Sequence, residues 1–190
     1  MRTKDEAKRR AIHDATVTEV VAGGLAGATI ASIAKRAGIS QGTIYLYHED
    51  KDALLRATFI EAKRAIHAAL MDAAAGHPGA EGAIRAQWFA LHAFVEDRPG
   101  TFLFAEQAMA AGLVDRAHEP ELERMAEEML EPIERGLADG TLRPAPAAAI
   151  ASVLSAPAVQ LARRRAMGTA PDAALLEATF ALAWRGVSAA

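Results

Sequence analysis

Cysteine is absent from the 190 residues, which excludes disulfide frameworks, cysteine-ligated zinc and thiol nucleophiles. A reducing, cytoplasmic setting is the expectation. Aromatic residues make up only 5% of the chain, and Val and Ile do not fall in the alternating runs that half-buried strands need, so helices are favoured over sheets. The start, Met1-Arg2-Thr3-Lys4-Asp5-Glu6-Ala7-Lys8-Arg9-Arg10, is charged and lacks the apolar run of a secretory signal, and no export is expected. Long uncharged runs are also scarce. One, Pro144 to Ala162, lies between Arg143 and Arg163-Arg164-Arg165. It is alanine-rich and carries Pro144, Pro146, Pro157, Ser152, Ser155 and Gln160, so it reads as a helix packed within the protein and no membrane span is expected.

Motifs of catalysis are missing as well. The chain has no Gly-x-Ser-x-Gly elbow, no Gly-x-x-x-x-Gly-Lys phosphate loop, no His-Glu-x-x-His and no Gly-x-Gly-x-x-Gly. The six histidines, His13, His48, His67, His77, His92 and His118, fall at spacings that put no two in metal-binding register. No metal, cofactor or enzymatic activity is expected.

What the chain does have is apolar substance, 52% of its residues, enough for a large helical core. Its charge is unevenly spread. The net charge is -3, yet residues 1–60 hold nine Lys/Arg against seven Asp/Glu, and the remainder twelve against seventeen. The basic excess therefore sits at the N-terminal end, where phosphate would be attracted.

Residues Glu6 to Ala22 form a predicted first helix stopped by Gly23-Gly24. Thr29 can cap a second that runs to Ala37, with Ile30, Ile33, Ala34 and Ala37 on one face. Gly38 ends it, and after Ile39 the Ser40 hydroxyl is placed to cap a third helix from Gln41 that carries Thr43, Ile44, Tyr45, Leu46 and Tyr47. Two short helices meeting across a glycine turn make a helix-turn-helix, in which Ile30, Ile33, Ile39 and Ile44 supply a small core. Gln41, Gly42, Thr43 and Tyr47 are left facing outward, where base edges and phosphates are met. The Tyr and Thr hydroxyls, Ser40 and Lys51 suit phosphate oxygens, and Gln41, Thr43 and Leu46 suit bases.

The run from Thr29 to Leu55, TIASIAKRAGISQGTIYLYHEDKDALL, resembles the signature of the TetR family of transcriptional regulators almost position by position, and Ile12, Ala15 and Gly24 resemble its first helix. About 45 residues carry the resemblance. It implies a homodimer of all-α subunits that binds a near-palindromic double-stranded DNA operator, usually represses, and lets go when a small molecule enters the C-terminal domain. By this resemblance Thr29, Ser40, Tyr45, Tyr47 and Lys51 contact or support the DNA backbone, and Gln41, Gly42 and Thr43 lie in the major groove. His48 departs from the pattern, since these proteins usually carry phenylalanine there. It is either a satisfied structural histidine or a further phosphate contact.

Residues 1–50 are thus expected to form a three-helix DNA-binding domain, and residues 51–190 a helical ligand-sensing and dimerisation domain reached by a long helix from Lys51 to about Ala75. Beyond the break at Gly76-His77-Pro78-Gly79, Trp88, Phe89 and His92 on one helix, with Phe102, Glu106 and Met109 on the next, suit a pocket for a small apolar or aromatic effector. Pro120 opens a helix with Leu122, Met125, Met129, Ile133 and Leu137 inside and its glutamates solvated. The last two helices, about Pro146 to Met167 and Asp172 to Ser188, are apolar enough to form a four-helix interface across a two-fold axis, and in the resembling family they do form the dimer. The rival reading is a dimeric helical scaffold or small-molecule binder without specific DNA recognition. It has no use for Ser40-Gln41-Gly42-Thr43 followed by two tyrosines.

Overall fold

The computed structural model describes residues 2–114 and 119–189; His118 lies outside them. Among the described residues there are nine helices: α1 (Arg2–Gly27), α2 (Ile30–Ala37), α3 (Gln41–Tyr45), α4 (Lys51–Ala74), α5 (Ala80–Asp97), α6 (Pro99–Ala110), α7 (Pro120–Ala138), α8 (Ala147–Ala166) and α9 (Ala173–Val187). No strand occurs among these residues. A single antiparallel bridge joins Leu142 to Ser188. None of the helices is long and apolar enough to cross a membrane.

The backbone clusters into two compact units, one of residues 1–63 with 100–118 and the other of 64–99 with 119–190. Compactness therefore follows a discontinuous course along the chain, with α4 passing from one unit into the other and α6 returning to the first.

In the first unit, α1 starts earlier than its apolar pattern suggests and is broken at Gly24, whose φ of 73° and ψ of 169° only glycine adopts readily. Ile12, Ala15 and Val20 of α1 are buried with Ile33, Ala34 and Ile44 of the next two helices and with Leu54, Leu55 and Phe59 of α4. Thr16 and Thr58 are buried too, and each hydroxyl donates to the carbonyl four residues back, Ile12 and Leu54, at 2.8 Å. A polar side chain satisfied within its own helix costs the core little. Arg36 of α2 donates to Glu19 of α1 at 2.5 Å, which ties the two helices on their solvent side. The first turn of α6 also belongs here: a Cβ on Gly100 would stand 3.4 Å from Val17.

In the second unit, α5 packs against α7 and α8, and α8 against α9. Gly136 of α7 permits one of these approaches, because a Cβ there would lie 2.9 Å from that of Ala80 and 2.8 Å from Leu142 Cδ1. Not all the α7 glutamates are solvated. Glu123, Glu127, Glu131 and Glu134 are exposed, but Glu121 accepts two hydrogen bonds from Arg64 of α4, at 2.8 and 2.9 Å. Glu128 Oε2 lies 2.9 Å from Nε2 of His67, which is also on α4. Pro157 is accommodated inside α8, which continues through it. The carboxyl end of α9 is held to the turn before α8, where Arg143 donates its backbone N–H to Val187 O at 2.8 Å and its Nε to Ser188 O at 2.6 Å.

Candidate nucleic-acid interface

The turn between α2 and α3 is fixed from both sides. Thr29 caps α2 reciprocally, with its Oγ1 accepting from Ser32 N at 3.0 Å while its own N–H donates to Ser32 Oγ at 3.2 Å. Gly38 closes α2 in the left-handed region, φ 68° and ψ 32°, and Ile39 N–H donates back to Ala34 O at 3.0 Å. Ser40 then caps α3 by accepting from Thr43 N at 3.2 Å, and the two hydroxyls are hydrogen-bonded at 2.9 Å. Capping of this kind contributes about 1 kcal/mol at each site. Below the turn, Ile33 and Ile44 are fully buried and Ile30 nearly so, while Ile39 is half-buried.

Gln41 and Gly42 are exposed at the amino end of α3, with Thr43 half-buried beside them. Tyr45 is 53% exposed. The third helix is shorter than expected and ends at Tyr45, because the following turn folds back: Tyr47 and His48 both donate their N–H to Ile44 O, at 2.9 and 3.0 Å. Leu46 projects from this turn with 81% of its surface exposed. Asp50 starts α4 by accepting from Ala53 N at 2.7 Å.

Two expected phosphate contacts are engaged within the chain. Lys51 Nζ donates to Ala26 O at 3.4 Å, and the half-buried Tyr47 donates its hydroxyl to Asp5 of α1. Neither Asp5 nor its neighbour Arg9, which covers the Tyr47 ring with Cζ 4.6 Å from the centroid, was among the site residues expected from the sequence. Asp5 and Tyr47 are 42 positions apart, and no local pattern announces the pairing. The hydrogen bond from Tyr47 holds the Asp5 carboxyl below its ordinary range, with the Arg9 contact acting the same way, and the phenol is correspondingly raised. His48 is half-buried, and burial followed by the Arg9 charge pushes its imidazole down.

Of the six residues expected at an effector, Trp88, Phe89 and His92 are gathered in the second unit. The Trp88 ring lies 5.3 Å from Phe89 and 4.7 Å from His92, and its Nε1 donates to Leu154 O at 3.1 Å. Phe180 of α9, 5.7 Å from Trp88, and Trp184, stacked on Phe180 at 6.3 Å, extend the cluster. Both lie on the apolar helix expected from Asp172 to Ser188, and neither was among the residues expected at the effector. His92 is 3% exposed with neither ring nitrogen hydrogen-bonded. Burial, then the charge of Arg165, lowers its pKa to about 4. Phe102, Glu106 and Met109 sit on α6 in the first unit, buried, half-buried and exposed respectively.

An all-helical chain with a capped helix-turn-helix whose third helix presents its amino end to solvent defines the class of helix-turn-helix DNA-binding regulators. Residues 12–58 match the family described as bacterial regulatory proteins, tetR family. A TetR family transcription regulator from Marinobacter aquaeolei is 29% identical, with both chains covered in full and a TM-score of 0.91. The HTH-type transcriptional regulator BetI of Cronobacter sakazakii is 36% identical over 121 residues, 62% of this chain and 57% of the relative. BetI of Paraburkholderia phytofirmans is 51% identical over 53 residues, 28% and 27% of the two chains. The matches thus span between about a quarter and somewhat over half of these curated relatives. Residues 12–58 thus match the helix-turn-helix of the TetR family of transcriptional regulators, and the chain as a whole is similar to a TetR family regulator.

Proposed function

We propose that this protein is a homodimeric, ligand-responsive regulator, of the repressing kind, that binds a near-palindromic operator and is released by a small apolar or aromatic effector. The observation that carries the DNA half is the amino end of α3, where Gln41, Gly42 and Thr43 are presented to solvent on a turn fixed by Ser40 and by the buried Ile33 and Ile44. Rigid backing of this kind is what base readout needs, since bidentate contacts tolerate little misplacement. Thr29, Ser40, Tyr45, Tyr47 and Lys51 are assigned to the backbone on either side, and His48 to support of the turn.

Self-association is assigned to the outer surface of α8 and α9. Ile150, Leu154, Ala158 and Leu161, with Leu176, Phe180, Ala183 and Val187, are buried within the subunit, whereas Val153, Leu175 and Leu182 are exposed among alanines and Gly186. The effector is assigned to the ring cluster of Trp88, Phe89 and His92. Release requires that it bind the DNA-free conformation better than the DNA-bound one. The continuous helix α4 joins the two functions covalently.

The test is footprinting and salt-dependent binding on the DNA flanking the protein's own gene. A protected, roughly palindromic stretch is expected, with affinity falling steeply in salt. Gln41→Ala and Thr43→Ala are expected to shift preference among sequences, each by about 1–3 kcal/mol at the affected base pair, whereas Lys51→Ala lowers affinity uniformly. Weak binding that ignores sequence, unchanged in all three variants, overturns the assignment.

A further inference from the structure

The Tyr47 hydroxyl, placed above at a phosphate, is satisfied inside the protein by the Asp5 carboxylate in the first turn of α1. Arg9, one turn further along, donates its Nε to the other carboxylate oxygen, Oδ2, at 3.5 Å, and lays its guanidinium over the Tyr47 ring. One carboxylate thus accepts a hydrogen bond from a hydroxyl and another from a guanidinium N–H, two groups that together form an anion-binding pair. A phosphate in the DNA backbone would take the same two donors. The arrangement is solvent-accessible, with 60% of the Arg9 side chain and 47% of that of Asp5 exposed. A displacing anion can therefore reach it. Both donors are anchored beside the third helix, Tyr47 on the turn that follows α3 and Arg9 stacked upon it.

We propose that Asp5 is an internal stand-in for a DNA phosphate: it closes Tyr47 and Arg9 into a pair in the free protein, and a strand phosphate displaces it on binding. This rests on the DNA-binding reading above and adds two things to it. Arg9 becomes a phosphate contact, extending the interface from α3 onto α1. Asp5 becomes a residue that sets affinity below what the surface could deliver, because its charge must be moved off both donors and then faces the incoming phosphate. Lys8 and Arg10, exposed on either side of Arg9, keep the local field attractive to phosphate.

The experiment is fluorescence-anisotropy titration of the full chain against a duplex of its gene-flanking DNA and an unrelated duplex, over a range of salt. It compares the parent with Asp5→Asn, Glu6→Gln, Tyr47→Phe, the Asp5→Asn/Tyr47→Phe pair and Arg9→Ala, each checked for an unchanged helical melting transition. Glu6 is the control, since it is exposed, loses the same charge and projects about 100° away around the helix. Asp5→Asn is expected to tighten binding to both duplexes by roughly two- to tenfold. Glu6→Gln is expected to tighten it less, and the Asp5→Asn gain to shrink in the Tyr47→Phe background. Arg9→Ala is expected to weaken binding and reduce the salt slope by about one per subunit. Binding created by Asp5→Asn in a parent that lacks it also supports the proposal. If Asp5→Asn binds no tighter than Glu6→Gln, or Arg9→Ala leaves affinity and slope unchanged, while the parent still binds a specific site, the stand-in is wrong and the DNA-binding reading survives. No binding by any of the proteins overturns both.

Discussion

His92 is the buried group with the largest mismatch between its chemistry and its surroundings. An imidazole with two unsatisfied nitrogens forgoes hydrogen bonds it would have in water, and a proton added to it would sit unpaired near Arg165. Its pKa of about 4, against an ordinary 6.5, has a definite sign for stability. Below 6.5 the unfolded chain takes up a proton that the folded chain refuses, so stability is fully present above that pH and is lost as pH falls toward about 4. The loss approaches about 3 kcal/mol at the acid end, by order of magnitude. Replacing His92 with leucine is expected to remove this limb. In urea titrations the variant should gain on the parent as pH drops from 7 to 4.5, and a parallel pH dependence would show that the ring is not where the protons go.

At the level of helices, the sharpest test is Gly136→Ala. The added methyl would stand 2.8 Å from Leu142 and 2.9 Å from the Ala80 Cβ, and the latter is fixed to backbone and cannot rotate away. The expected cost is about 1–3 kcal/mol of overpacking, read as a lower melting temperature with helical content unchanged. A neutral result would mean that α5 and α7 can separate cheaply. Such close approaches were not legible in the sequence, where Gly136 is one glycine among fourteen. The helices themselves were. Their apolar spacing and their stop and start residues, Thr29, Gly38, Ser40 and Pro120, are local signals, and the helix from Lys51 ended within a residue or so of where the pattern places it. Ser40 and the glycine turn likewise gave away the helix-turn-helix, because capping needs a particular residue at a particular position. Tyr47 marks where local reasoning fails: an outward position was expected, but the side chain is half-buried and its hydroxyl is engaged by Asp5 on another helix. The same holds for Phe180, a core residue by its stripe and a ring partner of Trp88 only by tertiary packing.

For the molecule as a whole, the exposed residues of α8 and α9 set the expected state of assembly. Leu182, 65% exposed and apolar, can be changed without disturbing the subunit interior. Leu182→Glu is expected to weaken self-association by about 2 kcal/mol or more for each copy buried in the interface, giving monomers in sedimentation equilibrium at concentrations where the parent is dimeric. A dimer that persists would place the interface elsewhere. The discontinuity of the first compact unit reaches further. Residues 1–63 are completed there by residues 100–118, and Gly100 lies close enough to Val17 that a methyl group would be in contact. The DNA-reading head is therefore not a cassette with two cut ends. A chimera that transplants only its leading stretch onto a foreign core carries an unfinished surface with it, so exchanging specificity between relatives means either swapping the short α6 return as well or altering α3 in place.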